Sequence, residues 1–260
     1  MKHQLHICWL YPDLMSTYGD RGNIIVLQKR CEWRGIGVHI DCHGIDSPVS
    51  QITRADVLFM GGAQDRQQDM VSKDIAGKKT EEIRHKIEKG TPGLFICGAY
   101  QFLGKYYKAA DGTKIPGLGI FDIYTEHPGD QGKRLIGNII VKIDDLLAVH
   151  QSNGSNHWTD VIAGFENHGG RTYLGRKVEP FARVVKGYGN NEIDNTEGAL
   201  YKNTIGTYLH GPLLPKNPEL ADWLIQKALE KKYGKVDILP KLDDTLELIT
   251  KQYILKKLRI

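Results

Sequence analysis

Short, wholly apolar runs that end in small residues and lead into helices constrain this chain more than any other feature. Residues 56–60, apolar from Val57 on, form one such run and end in Gly61-Gly62-Ala63-Gln64-Asp65. Residues 94–96 form another and end in Cys97-Gly98-Ala99. A strand without polar alternation is buried on both faces, as in a parallel sheet covered by helices. The flanking pattern agrees. Residues 5–10 read as a strand, 11–21 as a loop, and 23–34 as a helix with Ile24, Leu27 and Cys31 on one face. Val38, Ile40 and Cys42 alternate with polar residues as a second strand, and 64–89 is helical with a break at Gly77. Strands alternating with helices through the first hundred residues predict an α/β fold with a mostly parallel sheet.

The pattern then changes. A helix is expected at 100–106, followed by strands at 120–125, 135–143, 161–166, 181–186, 198–201 and 204–208, joined by Gly- and Asn-rich turns. The second half is therefore β-rich and partly antiparallel, and one large domain over residues 1–260 is the natural reading. Helices at 218–233 and 242–257 close the chain. Leu242, Leu246, Ile249 and Ile254 give the last helix an apolar stripe, expected to pack on the core.

Composition excludes several function classes. A formal charge of +4 on 260 residues, with no basic run interleaved with aromatics, gives no case for nucleic acid. No apolar stretch approaches a membrane span, and the first residues lack a signal-peptide core, so a cytoplasmic location is expected. Cys8, Cys31, Cys42 and Cys97 have no CxxC spacing, which argues for reduced thiols and no metal site. His150 and His157 lie seven apart in a polar stretch without carboxylates, a loop and not a metal site. No G-x-x-x-x-G-K-[ST] pattern occurs, so no P-loop for ATP is evident.

Strand, cysteine, tight turn and helix at 94–106 make the layout of a nucleophile elbow. The following helix turns free N–H groups toward the sulfur and favours its thiolate. A lone cysteine after an apolar run is usually a small buried hydrophobe, so Cys97 alone does not decide the matter. A thiol nucleophile needs a base. His210, in Gly206-Thr207-Tyr208-Leu209-His210-Gly211-Pro212, stands at a strand end where an α/β sheet places its ligands. His168 is the second choice, with the ordering of a tight loop as its alternative role. Gly98, beside the nucleophile, and Gly61-Gly62, after the third strand, are the candidate oxyanion-hole residues.

Ile96-Cys97-Gly98-Ala99-Tyr100-Gln101 resembles the elbow of class I glutamine amidotransferases, in the branch related to cobyric acid synthase. Tyr208-Leu209-His210-Gly211-Pro212 resembles that branch's histidine motif. Tyr18-Gly19-Asp20-Arg21-Gly22-Asn23, Gly61-Gly62-Ala63-Gln64-Asp65, the stretch from Gly164 to Thr172, and Gly187-Tyr188-Gly189-Asn190-Asn191 follow in family order. As a set they are similar to the GatD family, the glutaminase subunits of lipid II isoglutaminyl synthase. The resemblance implies a flavodoxin-like core. It implies that Cys97 attacks the amide of L-glutamine, with His210 as base and then acid. The ammonia would pass to a Mur-ligase-like subunit (MurT), which carries ATP and Mg and amidates D-glutamate of lipid II; this chain itself would need no cofactor. Arg134 falls where the family holds its substrate by an arginine, a fork suited to a carboxylate, and Gln101 would shape the same pocket. The chain departs from the pattern at Phe95, at Ala99, and at Pro212, which stands where a Glu is common. Asp20 is then the candidate orienting acid, with capping of the next helix as its other role; a carboxylate from the partner is the alternative. Rival functions are an amidotransferase serving another acceptor, such as a corrinoid, and a non-catalytic ligase-binding module.

Overall fold

The computed structural model describes residues 3–129, 132–143 and 161–260; the segment around His150 and His157 lies outside them. The chain runs β1 (Gln4–Leu10), α1 (Arg21–Glu32), β2 (Gly37–His43), α2 (Ser50–Thr53), β3 (Val57–Met60), α3 (Asp65–Ile75), α4 (Lys78–Glu88), β4 (Gly93–Ile96) and α5 (Gly98–Leu103). It continues through β5 (Tyr106–Lys108), β6 (Lys114–Pro116), β7 (Ile123–Glu126), β8 (Leu135–Lys142), β9 (Val161–His168) and β10 (Arg171–Leu174). The last elements are β11 (Ala182–Lys186), β12 (Thr196–Glu197), β13 (Ala199–Tyr201), β14 (Thr204–Thr207), α6 (Pro218–Tyr233) and α7 (Thr245–Leu258).

A six-stranded sheet has the order β13-β14-β4-β3-β1-β2. All its neighbours are parallel except β13, which returns antiparallel to β14. The apolar runs of β3 and β4 lie in its centre, and every residue of both is buried. Two four-stranded sheets make up the β-rich part, β10-β7-β5-β6 and β12-β11-β8-β9. The second is antiparallel throughout; the first contains one parallel pair, β5 with β7. One apolar cluster runs from Leu5 of β1 through Ile139 of β8 and Ile162 of β9 to Leu229 of α6. Among the described residues no helix is long and apolar enough to cross a membrane.

Gly77 adopts φ 70° and separates α3 from α4, as its position in the sequence predicted. Two expectations are corrected. The helix after Cys97 stops at Leu103, because Gly104 takes an extended conformation and packs against Ile123, and Tyr106–Lys108 pairs with β6 and β7 as a strand. The stripe on α7 is not core: Leu246 is 74% and Ile249 56% exposed. This helix is held by charge on its other face. Its one buried residue, Lys251, pairs with Glu219 of α6, and Asp244 at its start binds the buried Arg30 of α1 at 2.5 Å. A buried cation must be paired, so these contacts fix which face turns inward.

Candidate active site

The carboxyl ends of β1, β3, β4 and β14 meet on one edge of the parallel sheet, the edge where α/β sheets take their ligands. Register explains the convergence. Thr207 of β14 lies beside Ile96 of β4, so the residue after Ile96 and the third residue after Thr207 emerge together. Met60 of β3 lies beside Phe95, which brings Gly61 and Gly62 to the same edge. The loop after β1 returns to them through two successive left-handed residues, Tyr18 (φ 54°) and Gly19 (φ 82°).

Cys97 makes the turn between β4 and α5 at φ 53° and ψ −107°. That is a strained conformation for a residue with a Cβ, with a cost of roughly 1–3 kcal/mol, and such strain collects at functional sites. Its N–H donates to the Thr207 carbonyl at 2.8 Å, and its side chain is 9% exposed. Gly98 has no room for a side chain: a Cβ there would lie 2.8 Å from Gln68 Nε2 and 3.1 Å from Ala63 N. Ala99 sits within α5, where no glycine conformation is required, so this departure from the motif leaves the turn intact.

His210 is wholly buried. β9 grips its backbone, with the His210 N–H donating to the Phe165 carbonyl at 2.7 Å. Gly164 allows the approach, since a Cβ there would meet Leu209 at 2.7 Å. Gly62 lies between the two reactive side chains: a Cβ on it would be 3.0 Å from His210 Cε1 and 3.3 Å from Cys97 Cβ. Burial alone would strip the charge from the His210 ring. The neighbouring Cys97 and Asp20 outweigh it and push the imidazole up to about 10, which favours the imidazolium. The buried thiols of Cys8 and Cys31 are instead pushed up to about 12 by desolvation, which leaves them inert.

Asp20 is wholly buried beside His210. It makes no side-chain cap on α1. Its Oδ2 accepts the Gly62 N–H at 2.7 Å, and its Oδ1 lies 3.7 Å from His210 Nδ1. Pro212 helps to place it: Gly22 sits so close that a Cβ would be 2.5 Å from the proline ring. The bond to Asp20 corrects one expectation. The Gly62 N–H is committed to a carboxylate, so Gly62 serves close packing and is not a free oxyanion donor.

Of these residues Cys97 reaches a pocket of about 630 Å³ and forms its floor, with His210 and Asp20 wholly buried behind it. Arg134, from the start of β8, stands at its exposed rim. Its Nε and Nη2 donate to Asn167 Oδ1 at 3.0 and 2.9 Å, and Asn167 Nδ2 donates to the Tyr18 hydroxyl at 2.8 Å. Among the described residues Nη1 has no hydrogen-bond partner, and it lies beside Gly169. Gln101 lines the wall, with its Oε1 accepting from Gln68 and its Nε2 donating to the Tyr208 hydroxyl, both at 3.2 Å.

The comparisons with known proteins meet this geometry directly. The sequence model of the CobB/CobQ-like glutamine amidotransferase domain matches residues 6–218, which contain the whole constellation. The chain belongs to the CobB/CobQ-like glutamine amidotransferases. It is 41% identical over 260 residues to the GatD subunit of lipid II isoglutaminyl synthase (glutamine-hydrolyzing) of Staphylococcus aureus, covering 98% of this chain and 96% of that one. The corresponding subunit of Streptococcus pneumoniae is 39% identical over 244 residues, covering 94% and 88%. Of solved structures, PurLQS of Thermotoga maritima shares the fold at a TM-score of 0.56 and 17% identity, over 88% of this chain and 99% of that one.

The rest of this amidotransferase's site motifs serve as scaffold. His168 bonds Gly170 through Nδ1 at 2.8 Å and stacks on Tyr208 at 3.6 Å, and burial pushes it below the usual histidine range. It orders the loop, the second of its two readings. Glu166 accepts the Tyr188 and Gly189 N–H groups at 2.8 and 3.0 Å, which explains the glycines of that stretch. Sequence reasoning missed Gln68 and Asn167 as wall and rim residues. Gln68 follows the Gly61–Asp65 motif by less than one helical turn, and Asn167 precedes His168, so position beside a motif was the available signal. Elsewhere, His6, His39 and Asp41 cluster within 4.8 Å on β1 and β2, but the Arg54 guanidinium clasps both oxygens of Asp41.

Proposed function

We propose that this amidotransferase hydrolyses L-glutamine and supplies the ammonia to a Mur-ligase-like partner that amidates D-glutamate of lipid II. The observation that carries the reading is the meeting of Cys97, His210 and Asp20 around Gly62, with Cys97 opening into the pocket and the other two buried behind it. In this reading the Cys97 thiolate attacks the side-chain carbonyl carbon of glutamine. The oxyanion forms against the N–H of Gly98 and that of Ala63, since the Gly62 N–H is occupied. The His210 imidazolium gives its proton to the departing nitrogen, and ammonia leaves a γ-glutamyl thioester. His210, now neutral, takes a proton from water, and attack on the thioester releases glutamate and restores the thiolate. Asp20 orients His210 and holds the Gly61–Gly62 turn. Arg134 takes a carboxylate of the substrate through its Nη1, with Gln101 shaping the wall.

The near end-to-end likeness to subunits named for lipid II isoglutaminyl synthase supports that acceptor over a corrinoid. The strained cysteine and its buried base support catalysis over a purely regulatory module. In this reading residues 1–260 act as one cytoplasmic unit without a cofactor of its own, and ATP and Mg belong to the partner. The test is glutamine hydrolysis by the chain, alone and with the co-expressed Mur-ligase-like protein, in wild type and Asp20→Asn. A folded Asp20→Asn variant that loses turnover in both states supports a site completed within this chain. Full activity of that variant, with turnover that rises sharply only with the partner, assigns the orienting acid to the partner.

A further inference from the structure

The scheme above makes no use of Glu197, a fully buried acid. Glu197 of β12 reaches from the antiparallel sheet to the end of β14 in the parallel one. Its Oε1 accepts two hydrogen bonds, from the Thr207 hydroxyl at 2.6 Å and from the Tyr208 N–H at 2.7 Å. Its Oε2 is buried without a hydrogen-bond partner. An ionised carboxylate would hold part of its charge at that buried oxygen, at a cost in desolvation. Burial pushes Glu197 up to about 7, in keeping with that arrangement.

Thr207 joins this acid to both reactive side chains. Its hydroxyl accepts the Leu209 N–H at 3.1 Å, one residue before His210. Its carbonyl accepts the Cys97 N–H at 2.8 Å. The Tyr208 hydroxyl, one residue on, meets Gln101 at 3.2 Å and Thr172 at 2.7 Å. The strand end that carries His210 and the backbone of the elbow are thus both referred to one carboxyl group on another sheet.

We propose that Glu197 is a positioning residue of the glutaminase site: by its two accepted hydrogen bonds it fixes the strand end at Thr207, Tyr208 and Leu209, and through it the placement of Cys97 relative to His210. The proposal rests on the glutaminase reading. Glu197 touches neither the substrate nor the reacting atoms; it acts through Thr207.

The experiment is steady-state glutamine hydrolysis by the full chain, alone and with its co-expressed ligase partner. Rates are normalised to the Cys97 sites titrated by a glutamine-mimicking electrophile. Glu197→Gln keeps an uncharged acceptor, and its kcat per site should stay within about threefold of wild type. Glu197→Leu fills the space but leaves the Thr207 hydroxyl and the Tyr208 N–H unpaired. Its kcat should fall about 10- to 100-fold with KM within about twofold, the signature of a displaced nucleophile–base pair. Should Glu197→Leu fail to fold, Thr207→Val removes the same link at its other end, and its kcat should fall about tenfold. Wild-type kcat per site in both Glu197→Leu and Thr207→Val would overturn the proposal, leaving Glu197 a packing residue. A Glu197→Gln variant as slow as Glu197→Leu would also overturn it, because Gln keeps the acceptor through which Glu197 is proposed to act. If wild type releases no glutamate in either state, the glutaminase reading itself fails, an outcome distinct from both.

Discussion

The floor and the rim of the pocket are built on opposite plans. The floor at Cys97 and the groups behind it come from the loops at the strand ends of the parallel sheet, and they are buried: Asp20 and His210 wholly, Cys97 nearly so. Three of its positions tolerate no ordinary side chain, since Gly61, Gly62 and Gly98 each lie within 3 Å of a neighbour at the place of a Cβ. The rim comes from the antiparallel sheet and the loop after β1. There Arg134 and Tyr18 are exposed and are joined only through Asn167. A desolvated floor holds charges where they act on a transition state without reorganising; a solvated rim can recognise a carboxylate and let it go. Damage to the floor should therefore appear in kcat and damage to the rim in KM.

The largest effect is expected at the nucleophile. Cys97→Ala should lower kcat about 10⁴-fold or more, measured as glutamate release, because nothing else in the pocket can form the thioester. Asp20→Asn should come next, with kcat down about 10- to 100-fold and KM little changed, since the amide still fits but no longer balances the imidazolium. Arg134→Ala should act in the other parameter, with KM for glutamine raised about tenfold and kcat within about threefold. Arg134→Lys should recover little of that loss, because a point charge cannot hold Asn167 and a carboxylate together. A floor variant that moved only KM, or Arg134→Ala moving only kcat, would break the contrast.

Two smaller effects sharpen it. In Cys97→Ala the charge that raises His210 is gone while burial remains, so His210 should titrate below about 10 when followed by NMR. Glu197 titrates near 7 in the fold against 4.5 in an unfolded chain. The folded state then holds the extra proton between those values, and wild-type stability falls as pH rises through that window. The melting temperature of Glu197→Gln relative to wild type should therefore be more favourable at pH 8 than at pH 5.

The contrast also accounts for what could be read from the sequence. The floor was legible because its geometry is local: an apolar run and a turn of small residues give the elbow, and a histidine followed by Gly211-Pro212 marks a strand end. The strands β3 and β4 and the break at Gly77 follow from the same short-range rules. Glu197 was not legible, because a lone acid in Asn195-Thr196-Glu197-Gly198 reads as a solvated turn until β12 is placed against β14. Arg134 was found only through family resemblance, and what orients it, Asn167, is 33 residues away. The stripe on α7 misled for the converse reason: periodicity shows that a helix has an apolar face, and the pairings of Lys251 with Glu219 and of Asp244 with Arg30 decide that this face is not the one turned inward.

The most direct test is to quench the chain with acid during glutamine turnover and locate any γ-glutamyl adduct by peptide mass spectrometry. The account predicts an adduct on Cys97 in wild type and none in Cys97→Ala, which should also release no glutamate. Glutamate release by Cys97→Ala at the wild-type rate, with Cys97 never modified in wild type, would contradict it.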